Sequence, residues 1–185
     1  VSSLFDKKLQ KELIDQEDSL SMGQVIYEQL DNRHDLERLT ASNRDTLYKP
    51  LGLKRSLLDQ VQVIKLENGP IYQSLFLNGA LPICADERGV DIEIRLYHFM
   101  KKLEFHYRMF KLPVLNPEGV YVAFPFQLEE GQLFYEAQGG LVSPGVNQLE
   151  GTASDWNAIQ NFAVVKNQDE QIVFTSKDMP LVQFG

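Results

Sequence analysis

The sequence predicts an all-β protein, an antiparallel β-sandwich, on two observations. From Ser56 onward apolar and polar residues alternate with a period of two, the pattern of strands that turn one face to a core. Turn residues punctuate these runs at short intervals: Asn68-Gly69-Pro70, Asn78-Gly79, Asp86-Glu87-Arg88-Gly89 and Asn167-Gln168-Asp169. Such short connections suit antiparallel hairpins, because parallel strands need long crossovers. No internal repeat or low-complexity segment breaks the 185 residues, and a single domain over 1–185 is expected.

Taken in order, residues 1–18 fit two readings. Leu4, Leu9 and Leu13 among many charges suit a helix, while a turn at Asp6-Lys7-Lys8 between two strands suits the same letters. Gly23 to Glu28 reads as a short strand. One helical excursion is expected near residues 35–44, from Asp35, with Asn32 as its cap and an end before Pro50. Next come an alternating run, Leu58 to Lys65, and a strand from Ile71 to Leu77. Val90, Ile92, Ile94 and Leu96 alternate with Asp91, Glu93, Arg95 and Tyr97, the clearest half-buried strand in the chain. Lys101-Lys102 joins it to Leu103–Met109 as an antiparallel hairpin.

The stretch Glu118 to Trp156 organises what remains. Val120 to Phe124 is an apolar strand stopped by Pro125, and Glu129-Glu130-Gly131 is a turn. Leu133-Phe134-Tyr135 is a second strand, running to Gly139-Gly140. A long Gly-, Ser-, Asn- and Pro-rich loop then ends on Asp155 and Trp156, the chain's single tryptophan. Asp155 is placed to cap a short turn ahead of Asn157-Ala158-Ile159-Gln160. Phe162–Val165 and Gln171–Thr175 form another hairpin, and Met179–Gly185 reads as a strand that simply stops. That ending, and Val1 in place of Met, read as an excised piece of a larger polypeptide.

The totals exclude several function classes. A net charge of -8 and a pI near 4.9 argue against nucleic acid and anionic membrane surfaces, which need clustered Lys and Arg. No apolar run approaches the roughly 20 residues of a membrane span. The single cysteine, Cys84, excludes an internal disulfide and any multi-cysteine metal site, and its apolar setting marks it as a core residue.

Catalytic chemistry finds little support. HExxH, P-loop and GxSxG patterns are missing from the sequence. His34 lacks an i+4 partner; His98 and His106 fall on neighbouring strands, where a metal or acid–base role competes with the commoner surface or hydrogen-bonded histidine. A glycosidase needs two carboxylates about 5 to 10 Å apart. Glu93, Glu104, Glu118, Glu136 and Asp155 are candidates, although alternating strand carboxylates usually form a solvated face. Trp156 with Phe134, Tyr135, Asn147 and Gln148 offers a sugar-stacking platform: aromatic faces for C–H groups, amides for hydroxyls. The competing reading has Trp156 packed beneath the loop.

Several segments together resemble glycoside hydrolase family 38, the α-mannosidases, in its large β-sandwich. Ser3-Leu4-Phe5-Asp6-Lys7, Lys11 to Asp15 and Gly23 to Glu28 carry the likeness at the start of the chain. Glu104-Phe105, Lys111 and Glu118 to Phe126 continue it. Gly139-Gly140, Gln148-Leu149, Gly151-Thr152, Asp155-Trp156 and Asp178 to Val182 complete it. Each motif alone is weak; their shared order over nearly the whole chain carries the resemblance.

The resemblance implies a galactose-mutarotase-like supersandwich, a C-terminal accessory domain of a retaining, metal-dependent enzyme. The nucleophile and the ligands of a divalent metal such as zinc would lie in an N-terminal catalytic barrel, which nothing in this chain matches. That barrel and a glycan would be the partners, with no cofactor held by the chain itself. The loop carrying Asn147, Gln148, Asp155 and Trp156 would face the substrate cleft or the barrel. The family pattern often has Asp and Leu-Pro where this chain has Asn147 and Leu149-Glu150, so no carboxylate role carries over to Asn147. Two rivals stand beside this expectation. One is a self-sufficient sugar-binding module; the other is a mutarotase-like enzyme pairing His98 or His106 with a carboxylate in one concave pocket.

Overall fold

A computed structural model describes residues 1–34, 52–85, 88–151 and 156–184. The expected helical excursion near 35–44, the Asp86-Glu87 part of one turn and Asp155 lie outside the described residues.

The protein is all-β, and every strand pairing is antiparallel. It divides into two compact units, one of Val1 and Leu20–Phe124, the other of Ser2–Ser19 and Pro125–Gly185.

The first unit holds two sheets. One has the order β4-β3-β9, from β3 (Val25–Leu30), β4 (Leu53–Leu57) and β9 (Glu118–Val122). The other runs β5-β6-β7-β8, from β5 (Asp59–Asn68), β6 (Tyr72–Ala80), β7 (Val90–Tyr97) and β8 (Leu103–Met109). Both contribute to one apolar cluster. Val25, Tyr27 and Val120 come from the first sheet, and Val90, Ile92, Ile94, Leu75 and Phe105 from the second. This two-layer arrangement is a sandwich. Alternation on β7 holds from Val90 to Ile94 and fails at Leu96, which is exposed at the strand's end. Val90, Ile92 and Ile94 are buried, whereas Asp91 is exposed. Cys84 is buried in the same cluster, and burial pushes its thiol pKa up.

The second unit begins with a small hairpin, β1 (Phe5–Asp6) with β2 (Lys11–Glu12). The strand reading of residues 1–18 wins over the helix for a local reason. The Asp6 carboxylate accepts hydrogen bonds from the Lys8 and Leu9 amides (2.8 and 3.1 Å), closing a turn that competes with helix. A four-stranded sheet follows in the order β11-β10-β13-β14. Its strands are β10 (Gln132–Ala137), β11 (Gly140–Val142), β13 (Ala163–Lys166) and β14 (Gln171–Phe174). One further pairing joins segments distant in sequence. Asn157 and Ala158 form a short strand, β12, and pair with β15 (Leu181–Val182). Residues so far apart along the chain leave no local mark of their pairing. Tyr135, Ile159 and Ala163 are buried in this unit's own cluster with Phe174, Val182 and Phe184 around them.

Candidate functional site

The candidate site grows from the β10–β11 hairpin. Gln138 and Gly139 form its two-residue turn, both with positive φ (52° and 77°), the geometry that matches strand twist. Glycine takes this conformation without strain; Gln138 is steadied by its amide, which donates to Gln160 Oε1 at 2.7 Å. Because β11 is only three residues long, it pairs with Tyr135 to Ala137 and leaves Gln132, Leu133 and Phe134 behind. The chain then swings away at Ser143. A cleft of about 450 Å³ opens there, lined by Gln132, Leu133, Phe134, Ser143, Pro144, Val146 and Asn147.

One side chain holds the loop over the sheet. Gln148 Oε1 accepts from the Gly145 amide (2.8 Å), and its Nε2 donates to the Tyr135 hydroxyl (3.1 Å) and to Asn157 Oδ1 (2.9 Å). Tyr135 and Asn157 are themselves buried. The Val146 and Asn147 amides donate back to the Ser143 carbonyl, tightening the turn.

Three of the four residues singled out from the sequence are described, and they take different places. Asn147 is exposed and lines the cleft. Gln148 is bonded within the protein at both ends of its amide, which anchors the loop. Trp156 is 42% exposed and precedes β12, with Leu149 (82%) and Val146 (75%) the other exposed apolar groups of the loop. Asp155 lies outside the described residues. Sequence reading missed Ser143, Pro144, Val146 and Gln132 as cleft walls; only the Ser143-Pro144-Gly145 turn signal hinted at them. The cleft combines an aromatic ring, an apolar wall, amides and a hydroxyl. That set suits a ligand with both C–H faces and hydroxyls.

The carboxylates proposed from sequence that lie among the described residues, Glu93, Glu104, Glu118 and Glu136, are tied into the scaffold. Glu136 accepts from the Asn161 amide and side chain (3.0 and 2.8 Å). Glu118 pairs with Lys111 and accepts from the Tyr27 hydroxyl at 2.9 Å. On the outer face of β6–β8, Arg95 clasps Glu93 with two nitrogens (2.7 and 2.9 Å) and Ser74 adds a third bond at 2.8 Å. Glu104 takes Lys102 (2.6 Å), the Tyr97 hydroxyl (3.0 Å) and His106 (3.5 Å). Its bond from Lys102, then those from Tyr97 and His106, hold its pKa down to about 2. A general acid or base works best near the operating pH, so Glu104 is a permanent anion, poorly suited to proton transfer. His106 does meet a carboxylate, but neither this cleft nor the one of about 760 Å³ beside β5 is lined by it or by His98. His98 instead meets the Gly69 carbonyl at 2.9 Å. Among the described residues, no three His, Cys, Asp or Glu side chains gather to hold a metal ion, and no helix is long and apolar enough to cross a membrane.

Neither protein-family models nor curated protein sequences gave a match to this chain.

Proposed function

We propose that this chain is a C-terminal accessory β-domain of an α-mannosidase-like glycoside hydrolase. In this reading it supports a catalytic barrel on the same polypeptide and lends the loop around Ser143 to Trp156 to carbohydrate contact. The observation that supports it best is the cleft beside β10, lined by Gln132 and Phe134 of that strand and by Pro144 and Asn147 of the loop that Gln148 anchors. Binding groups on ordered loops above a rigid sheet are a common arrangement for such contacts. The engagement of Glu93, Glu104, Glu118 and Glu136 in structural bonds is in keeping with a chain that leaves bond cleavage to its partner. A divalent metal such as zinc would belong to that partner.

The test is the native polypeptide. An antibody against this chain should recover from its source cells a polypeptide much larger than 21.2 kDa that hydrolyses an α-mannoside. A native 21.2 kDa polypeptide without that activity would sink the proposal. The exposure of Trp156 favours one second reading, a self-sufficient sugar-binding module. A titration with mannose and α-mannobiose, read by Trp156 fluorescence, separates the two. The accessory reading expects no saturable response in the isolated chain. The module reading expects one that disappears in Trp156→Ala with the fold retained.

A further inference from the structure

The least explained surface is strand β5. It is the outer strand of its sheet, paired with β6, and all ten of its residues are exposed. Two rows of apolar side chains cross the core face of this sheet. One runs Phe105, Ile94, Leu75, Leu66; the other runs Tyr107, Ile92, Leu77, Val63. Both begin in the buried cluster and end on β5, where Val63 is 67% and Leu66 68% exposed. Val61 and Ile64 are exposed as well. A long apolar edge with an open row of backbone groups is a template for another strand.

The strand itself indicates which strand it would accept. Register shifts lie between Asp59 and Gln62 and between Val63 and Lys65, and Gln60 has a positive φ of 50°. These irregularities discourage pairing along the first half of β5. From Lys65 to Asn68 the register is regular. Three residues of that segment, Lys65 to Glu67, are self-complementary. Antiparallel pairing about a twofold axis at Leu66 sets Leu66 against Leu66. It also sets Lys65 of each copy opposite Glu67 of the other. Opposite charges at facing positions favour this register, and an isologous contact closes at two copies.

We propose that a second copy of this chain adds to the β5 edge, antiparallel about Leu66, and joins the two four-stranded sheets into one. This inference is independent of the carbohydrate reading. Sedimentation of the whole chain from micromolar to near-millimolar concentration tests it, with circular dichroism as the control for folding. A concentration-dependent dimer is expected. Lys65→Glu or Glu67→Lys alone places like charges opposite each other twice, and each should raise the dimer Kd about tenfold. The double exchange Lys65→Glu with Glu67→Lys should restore it. Leu66→Lys leaves the Lys65–Glu67 pair within the strand (2.7 Å) untouched and puts two cations on the axis, so it should abolish the dimer. The positions are exposed, so the fold should survive each change. A chain that stays monomeric throughout overturns the proposal, whether or not another protein binds β5. So does a dimer indifferent to Leu66→Lys and to the charge exchange.

Discussion

Gln148 ties three backbone and side-chain partners with one amide, and two of them, Tyr135 and Asn157, are buried. Truncation leaves buried polar groups without their bond, which typically costs about 1–3 kcal/mol. Gln148→Ala should lower unfolding stability by that amount in a denaturant titration, whereas Asn147→Ala, at an exposed cleft wall, should change it little. Equal effects at the two positions would contradict the division between anchor and contact. Cys84 yields a second outcome at this scale. Its buried thiol has a raised pKa, so the reactive thiolate is scarce and shielded. Alkylation should proceed in denaturant and hardly at all in the native protein. The sequence placed Cys84 in the core because its neighbours are apolar. It could not tell Asn147 from Gln148, since two adjacent amides carry the same chemistry and only the fold turns one of them inward.

The elements follow local pattern where strands pair with their neighbours in sequence. β7 and β8 pair over seven positions from Val90–Met109 to Leu96–Leu103, as the alternation and the Lys101-Lys102 link predict. Ile92, buried at the centre of β7, should be costly to truncate. Ile92→Ala should destabilise by about 2–5 kcal/mol in the same titration. Gly89 opens β7 with a φ of +62°, and an added Cβ would collide with the Gly79 carbonyl. Left-handed backbone alone costs an ordinary residue about 1–2 kcal/mol, so Gly89→Ala should exceed that once the collision is added. A smaller loss would mean that β6 shifts readily. β12 was illegible for the opposite reason: its partner β15 lies more than twenty residues away, and Asn157-Ala158 has too few residues to show a period. The alternation on β5 was legible, yet the burial it normally signals does not follow, because β5 is an edge strand interrupted by bulges.

At the scale of the whole molecule, charge sets the response to acid. Glu12, Glu93 and Glu104 are all held below the ordinary glutamate value of 4.5, chiefly by bonds from Ser3, Arg95 and Lys102 respectively. A carboxylate with a lowered folded-state pKa stabilises the fold above its unfolded value, and that contribution drains away as pH falls through the folded value. Stability should therefore decline on acidification from pH 4.5 toward about 2, the folded value of Glu104. Glu104→Gln should flatten part of that decline in pH-dependent denaturation curves. An unchanged profile would remove Glu104 from the account. The net charge of -8 was open to inspection from the start. What the sequence by itself determined was the all-β class, most of the strands and their turns, because side-chain period and turn chemistry act between residues a few positions apart. Only the tertiary structure decided that two apolar clusters form, that the Gln148 amide anchors a loop, and that β5 ends its apolar rows in the open. Burial and hydrogen-bond partnership depend on groups brought together from distant parts of the chain, and no local pattern encodes them.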